Sequence, residues 1–212
     1  MIRVLLADDH GLVRHGLKMI LDAEPDFQVV AEASDGPQAV EAALAGDIDL
    51  AVLDVAMPRL TGIQAARQIC EHRPNLRVLI LSMHDNEQFF FEALRAGASG
   101  YILKSAAHDD LIRACRSAMR GEPFLYPRGV AALVRTYLEG GTGEAPEDPL
   151  SFRESEVLKL IAEGMTSREI GDVLQISEKT VERHRSNILD KLGLRDRVAL
   201  TRYAIRRGLV EP

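Results

Sequence analysis

Residues 1–120 alternate short apolar runs, rich in Val, Ile and Leu, with segments of helical periodicity. Strands that are buried on both faces read as apolar runs, and helices between them return the chain to the same edge of a sheet. The alternation therefore predicts an α/β domain with a five-stranded parallel sheet. We expect strands at residues 3–8, 28–33, 50–54, 77–82 and 100–103, and helices at 12–23, 37–45, 62–72, 87–96 and 109–119.

The chain changes character after residue 120. We expect a linker at 121–149, with one helix near 130–138 followed by a stretch of Gly, Pro and acidic residues that has almost nothing to bury. From residue 150 the periodicity is purely helical. The sequence thus predicts two domains, 1–120 and 150–212.

The second domain carries local signals of helix starts. Ser151 with Glu154, and Thr166 with Glu169, have the spacing of capping boxes. Ser177 is a third candidate N-cap. We expect an all-α domain with helices at 152–163, 167–174, 178–192 and 196–207.

Composition bears on compartment and partners. The chain starts on a strand-like run rather than a leader, and its apolar runs are shorter than the roughly 20 residues of a membrane span. Cys70 and Cys115 lack the spacing of a redox or metal site. We expect a cytoplasmic protein without a signal peptide or membrane contact, in which both cysteines are buried free thiols.

Charge is divided unevenly along the chain. Residues 1–149 carry 14 basic and 22 acidic side chains, a net −8, whereas residues 150–212 carry 12 and 10, a net +2. From Lys179 to Arg207 there are nine basic residues and three acidic ones. A basic surface on an acidic protein favours a polyanion such as DNA as partner.

Polar side chains stand where the predicted strands end. They are Asp8 and Asp9 after the first strand, Asp54 on the third, Ser82 on the fourth and Lys104 after the fifth. Ligands gather at the carboxyl ends of parallel strands, so these groups should meet at one edge. Clustered carboxylates need a cation, and their hard oxygens suit Mg²⁺. Such a site could transfer a phosphoryl group to Asp54, with Ser82 and Lys104 bonding its oxygens.

This set of residues resembles the receiver domain of bacterial response regulators. The resemblance covers residues 1–120 and rests on Asp8-Asp9, Asp54 followed by Val55-Ala56-Met57-Pro58 and Gly62, Ser82, and Tyr101 with Lys104. It implies a flavodoxin-like sheet of order 2-1-3-4-5 and phosphorylation of Asp54 by a histidine kinase. It also implies that Asp9, Asp54 and the carbonyl of Ala56 bind Mg²⁺, with Asp8 acting through water.

A phosphoryl group on Asp54 would draw Ser82 inward and leave space into which Tyr101 rotates. The alternative for Tyr101 is an ordinary half-buried aromatic at the sheet edge. We assign His10 and His84 to loops, with no role as phosphoacceptor or metal ligand.

Residues 166–192 have the spacing of a helix-turn-helix. Val181, Ile188, Leu189 and Leu192 recur at helical period and should face the core, while the polar residues should reach bases and phosphates. The predicted DNA contacts are Lys179, Thr180, Arg183, His184, Arg185, Ser186, Asn187 and Lys191. Arg185 has an alternative structural role, as a partner of Glu154.

A second resemblance covers residues 150–210. Leu150-Ser151-Phe152-Arg153-Glu154, Ile176-Ser177-Glu178-Lys179-Thr180-Val181, His184-Arg185-Ser186-Asn187-Ile188 and Lys191-Leu192 are similar to the LuxR-type DNA-binding domain. The combination resembles the NarL/FixJ family of transcription regulators. The departures are Ser151 for Thr, Glu182 on the reading helix, and Gly171 for Ala, which costs about 1 kcal/mol of helix propensity unless close packing requires it.

The resemblance implies a DNA-binding response regulator that assists its own phosphorylation and dephosphorylation but is otherwise not an enzyme. Its implied partners are a sensor histidine kinase, promoter DNA with spaced half-sites, a second copy of itself, and RNA polymerase. One rival is an aspartyl-phosphate phosphatase or phosphotransferase, although Ala56 stands where a second acid would be needed. The other is a DNA-binding regulator that is controlled without phosphate.

Overall fold

The computed structural model describes residues 1–83, 87–138, 149–174, 176–207 and 209–210. The chain divides into two compact units, Met1–Pro146 and Glu147–Pro212. Every helix in the described ranges is too short or too polar to cross a membrane. His84 and residues 139–148 of the predicted linker lie outside the described residues.

The first unit is built on a parallel sheet with the strand order β2-β1-β3-β4-β5-β6. Its strands are β1 (Ile2–Ala7), β2 (Phe27–Ala33), β3 (Leu50–Asp54), β4 (Arg77–Ser82), β5 (Gly100–Leu103) and β6 (Phe124–Leu125). Its helices are α1 (Gly11–Asp22), α2 (Gly36–Ala45), α3 (Gly62–His72), α4 (Glu87–Arg95), α5 (Ala107–Met119) and α6 (Pro127–Leu138), with a 3₁₀ turn at Lys104–Ala106. The expected order 2-1-3-4-5 is confirmed, with one further strand.

The sixth strand was not predicted from the sequence. Phe124 and Leu125 pair in parallel with Gly100 and Tyr101 of β5. A two-residue strand is too short to show a period in the sequence. The sheet therefore continues past residue 120, and α6 starts at Pro127, earlier than expected, and packs against α4.

The strands of the first unit are buried on both faces, as the apolar runs indicated. Val4, Val52 and Leu79 pack on one side with residues of α1 and α5, including Leu21 and Leu111. Alternate residues such as Leu5, Leu53 and Ile80 are also fully buried. A core of this kind fixes the ends of the strands, and so it also fixes the polar side chains that follow them.

The two cysteines differ in burial. Cys115 is completely buried in the core of the first unit, and burial raises the pKa of its thiol to about 12. Cys70 is only half-buried, because it lies near the surface on α3, where its Sγ is 3.6 Å from the carbonyl oxygen of Gly97. The expectation of two buried thiols is therefore wrong for Cys70, although both cysteines are free.

The second unit consists of α7 (Phe152–Ala162), α8 (Ser167–Leu174), α9 (Glu178–Leu192) and α10 (Arg197–Arg206). The capping box of α7 is confirmed: Ser151 Oγ accepts from the Glu154 amide at 3.3 Å, and Glu154 accepts from the Ser151 amide at 2.7 Å. Thr166 and Glu169 form the same reciprocal pair, and Ser177 caps α9. Residues from all four helices share one apolar core.

Gly171 lies where α8 approaches the turn before α9. A Cβ atom at this position would lie 2.7 Å from the carbonyl oxygen of Ile176. That distance is far inside van der Waals contact with rigid backbone, so an alanine would push the turn away from α8. Close packing therefore explains the glycine that departs from the family pattern.

Candidate functional site

The carboxyl ends of the central strands meet at one edge of the sheet. Ala7 pairs with Leu53, Asp54 with Leu81, and Ser82 with Leu103. This register places Asp8, Asp54 and Ser82 at neighbouring strand ends, where each is at most 2% exposed.

Lys104 joins two of the carboxylates. Its Nζ lies 2.9 Å from Asp54 Oδ1 and 2.9 Å from Asp8 Oδ2. Burial alone would lower the pKa of Lys104, but the attraction of Asp54 and Asp8 outweighs it, and the pKa is raised. Lys104 is therefore held as an ammonium ion at this edge of the sheet. We call the strand ends that carry Asp8, Asp9 and Asp54 the acidic edge.

The carboxyl group of Asp54 is strongly perturbed by its surroundings. Burial raises its pKa to about 6; the attraction of Lys104 opposes this rise and the charge of Asp8 adds to it. Asp54 Oδ2 is buried, and no described residue forms a hydrogen bond with it. A buried acceptor oxygen without a donor is costly, and a cation or an incoming electrophile would relieve that cost.

The acidic edge also contains His10, which lies in the loop before α1, as expected. Asp8, Asp9, His10 and Asp54 each offer a ligand atom, and these atoms all lie within 4.8 Å of one another. His10 Nδ1 is 2.8 Å from Asp9 Oδ1. The only signal in the sequence was its position directly after the acid pair.

The loop between β3 and α3 is drawn tightly against Asp54. A Cβ on Gly62 would lie 2.0 Å from the carbonyl oxygen of Asp54, so only glycine allows this approach. Arg59 adopts a φ of 67°, and its guanidinium is hydrogen-bonded to Asp35 at the N-cap of α2. These contacts fix the loop that follows Asp54. They therefore also fix Ala56, whose carbonyl is a predicted metal ligand.

Tyr101 is fully buried, so the alternative of a half-buried edge aromatic is wrong. The reason is β6, which covers the edge of β5. The ring centroid of Tyr101 lies 5.9 Å from that of Phe90 and 5.7 Å from that of Tyr126, and the rings of Phe90 and Tyr126 are 5.6 Å apart. We call these three residues the aromatic cluster. Tyr126 was missed in the sequence because it stood in the predicted linker.

In the second unit, α9 presents one exposed polar face. Its members recur at helical spacing, and they are Lys179, Glu182, Arg183, Ser186, Asn187 and Asp190. Val181 and Ile188 are completely buried on the opposite side. The helix therefore has the two faces that its sequence predicted.

Both units match known families. Residues 4–116 match the family described as response regulator receiver domain, and residues 148–204 match bacterial regulatory proteins of the luxR family. The chain belongs to the LuxR-type response regulators. It is a DNA-binding transcriptional response regulator of a two-component system.

Relatives cover nearly the whole length of this response regulator. It is 38% identical over 216 residues to oxygen regulatory protein NreC of Staphylococcus carnosus, covering 99% of this chain and 100% of the relative. It is 39% identical over 210 residues to transcriptional regulatory protein LiaR of Bacillus subtilis, again covering 99% and 100%. RcsB from Salmonella enterica serovar Typhimurium, solved bound to promoter rprA with the phosphomimetic BeF₃⁻, is 30% identical with a TM-score of 0.69, covering 95% of this chain and 97% of that one.

Two of the basic residues expected at the DNA interface of the response regulator have charged partners inside the second unit. Lys191 Nζ lies 2.7 Å from Glu154 Oε2. The expected pair between Arg185 and Glu154 is therefore wrong, because the packing of α7 on α9 brings Lys191 to this carboxylate. Arg185 instead lies 3.9 Å from Glu182 on its own helix. Lys191, whose side chain is 43% exposed, thus has an ion-pair partner within the second unit and stays a predicted DNA contact.

The remaining flank residues of α9 are less exposed than the polar face. The hydroxyl of Thr180 is 2.8 Å from that of the N-cap residue Ser177. His184 is half-buried, and burial, followed by the charge of Arg183, lowers its pKa.

Glu182, on the exposed face of α9, accepts a hydrogen bond from the Ser167 hydroxyl of α8. This bond connects α9 to α8.

Proposed function

We propose that Asp54 is the phosphoacceptor, that a sensor histidine kinase is the donor, and that phosphorylation changes promoter binding by the second unit. The observation that carries this proposal is the buried Asp54 carboxylate, whose Oδ1 contacts Lys104 while Oδ2 has no hydrogen-bond partner among the described residues. An acceptor oxygen without a hydrogen-bond donor keeps its lone pairs for bonding to phosphorus or to a cation.

The residues of the acidic edge fit Mg²⁺. The carboxylates of Asp9 and Asp54 and the carbonyl of Ala56 would hold the ion, with Asp8 acting through water, and this set is rich in the hard oxygen ligands that Mg²⁺ prefers. When bound, Mg²⁺ supplies positive charge that neutralises the transferring phosphoryl group.

The side chains of Asp54, Lys104 and Ser82 supply the nucleophile and the groups that stabilise the phosphoryl oxygens. At neutral pH, a pKa of about 6 leaves most of Asp54 ionised and able to attack. An Asp54 oxygen bonds to phosphorus as the P–N bond of the phosphohistidine breaks, and the electron pair returns to the imidazole. Lys104 and Ser82 stabilise the phosphoryl oxygens by charge and by hydrogen bonding. The same groups would assist hydrolysis of the acyl phosphate, which is a self-limiting step rather than turnover of an external substrate.

The switch would run from Ser82 to Tyr101 and onward through the aromatic cluster. Tyr101 packs on Tyr126, which stands immediately before α6. A displacement of Tyr101 therefore reaches the segment that leads towards the DNA-binding unit. We further propose that the phosphorylated protein binds spaced half-sites as a homodimer and acts on RNA polymerase, because one small helix-turn-helix makes few base contacts.

The test is phosphorylation by a small donor. Wild type incubated with Mg²⁺ and acetyl phosphate should gain one phosphoryl group by intact mass, and Asp54→Asn should gain none. Asp47→Asn, at a carboxylate with 78% side-chain exposure, is the matched control and should behave as wild type. Labelling that persists in Asp54→Asn would refute the assignment.

The same protein preparations distinguish the proposed function from its two alternatives. Steady phosphate release from small phosphomonoesters would favour the phosphatase. Regulated DNA binding that is unchanged in Asp54→Asn would favour control without phosphate.

The DNA interface is tested on α9. Arg183→Ala or Asn187→Ala should weaken binding to a selected operator by about 1–3 kcal/mol if the side chain reads a base edge. Arg113→Ala removes a side chain of 73% exposure from α5 in the other unit and should leave affinity unchanged. Equal losses in all three variants would contradict the interface, and fluorescence anisotropy at fixed salt provides the measurement.

A further inference from the structure

Among the described residues, His10 is the titratable side chain at the acidic edge that the proposed phosphoryl chemistry does not use. Its backbone amide donates to Asp8 Oδ1 at 2.9 Å, and its carbonyl accepts from the amide of Arg14 in the first turn of α1. The ring Nδ1 lies 2.8 Å from Asp9 Oδ1 and 3.4 Å from Asp8 Oδ1. The backbone thus anchors this imidazole beside two carboxylates.

The carboxylate oxygens of the edge are divided between the Lys104 ammonium group and the His10 imidazole. Lys104 contacts Asp54 Oδ1 and Asp8 Oδ2. Asp54 Oδ2 has no hydrogen bond from any described residue, although Asp54 is only 2% exposed. Asp8 Oδ1 and Asp9 Oδ1 lie next to the imidazole. An ion that is bound by one carboxylate oxygen from each of Asp8, Asp9 and Asp54 therefore has His10 within reach.

The distances suit a single ion after a small movement. The four ligand atoms are within 4.8 Å of one another. Nitrogen and oxygen ligands of one transition metal, each at about 2.1 Å from it, are at most about 4.2 Å apart. The longest separation in the cluster, at most 4.8 Å, must therefore shorten by at least about 0.6 Å if it reaches that limit, and rotation of the partly exposed His10 and Asp9 side chains provides movement in this direction.

We propose that His10 makes this cluster a mixed nitrogen and oxygen site, which binds a first-row transition-metal dication through Nδ1 in competition with Mg²⁺. The inference rests on the proposed function, because it uses the same carboxylates. Affinity for ligand sites that contain nitrogen is lowest for Mn²⁺ among the first-row dications and higher for Co²⁺ and Zn²⁺, whereas Mg²⁺ favours oxygen ligands and water. His10 therefore affects which metal ion occupies the phosphorylation site.

Mn²⁺ bound to the tag-free full chain provides the direct probe. Pulsed electron paramagnetic resonance should show modulation from a directly coordinated ¹⁴N nucleus in wild type. His10→Gln should lose this signal and weaken Mn²⁺ binding by about tenfold, within the range measured when metal-site partners are removed. Mg²⁺ affinity, measured by competition, should change little. His15→Gln, which replaces an exposed histidine on α1, is the matched control and should retain both signal and affinity.

Absence of nitrogen modulation in wild type, with Mn²⁺ bound, would overturn the inference without relying on any variant. Equal weakening of Mg²⁺ and Mn²⁺ in His10→Gln would also overturn it, because that result indicates distortion of the oxygen ligands. Acetyl phosphate labelling in Mg²⁺ runs in parallel. Labelled Asp54 without nitrogen coordination removes only this inference, whereas failure of both labelling and Mg²⁺ binding removes the proposed function as well.

Discussion

Buried charge is the main feature of this protein at the scale of single residues. Asp8 and Asp54 are at most 2% exposed and the side chain of Lys104 is 7% exposed, and removing an ion from water costs several kcal/mol even after relaxation. One ammonium shared by two carboxylates offsets only part of this cost. The fold therefore retains an excess of negative charge at the edge of the sheet, which favours a metal ion there.

Lys104→Met should expose this imbalance. Asp8 and Asp54 would stay buried without a counter-ion, so the free energy of unfolding should fall by about 3 kcal/mol in the presence of a chelator. Mg²⁺ should restore part of the loss by replacing the missing charge. Urea unfolding followed by tyrosine fluorescence, with and without Mg²⁺, provides the measurement.

The control for this variant is Lys18→Met. Lys18 forms a surface pair with Glu32 at 3.3 Å, and an exposed pair contributes at most about 1 kcal/mol. A Lys104→Met protein as stable as Lys18→Met, or one indifferent to Mg²⁺, would contradict the role given to the buried ammonium.

At the scale of elements, local patterns and tertiary contacts explain different parts of the structure. β3, α3, α8 and α9 match the predicted bounds, because apolar runs, helical periods and N-caps are written in neighbouring residues. β6 could not be predicted, since two residues carry no period and their pairing depends on the edge of β5. The partner of Glu154 was also beyond local reasoning, because it lies 37 residues away on another helix.

The contact between α7 and α9 should depend on pH through Glu154. Burial opposes ionisation of this residue, but hydrogen bonds from Lys191 and Ser151 outweigh it, and the pKa of Glu154 is lowered. A group with a lowered folded-state pKa stabilises the fold above its unfolded value, here 4.5, and loses this contribution as pH falls through the folded value. The pair should therefore stabilise the second unit at neutral pH and fail in acid.

Glu154→Gln should lower the stability of the second unit by about 1–3 kcal/mol at pH 7, because it leaves Lys191 without its charged partner. Below pH 4.5 the difference from wild type should shrink. Amide exchange of α7 and α9 in a urea series at each pH provides the measurement. Glu178→Gln, at an exposed position of α9, is the control, and an equal loss at pH 4 and pH 7 would argue against the pair.

At the scale of the whole molecule, the two parts of the chain differ in net charge. The residues up to 149 have a net charge of −8 and those from 150 have +2, so attraction to DNA is confined to the C-terminal part of the chain. The exposed face of α9 also carries Glu182 and Asp190 among its basic residues. The face of α9 therefore contributes little non-specific electrostatic affinity for DNA. Binding of two subunits to two half-sites, as proposed above, would raise the total affinity.

The spacing of half-sites tests this paired binding. Two subunits related by a two-fold axis reach the same side of DNA when their half-sites are one helical turn, about 10 base pairs, or a multiple of it apart. On an operator selected from random sequence, inserting about five base pairs between the half-sites should turn one of them to the opposite side and abolish cooperative binding by phosphorylated protein. Inserting about ten should restore part of it. Asp54→Asn, treated with the same phosphoryl donor, should show no gain in cooperativity on any spacing, and equal affinity of phosphorylated wild type for all three operators would exclude the paired arrangement.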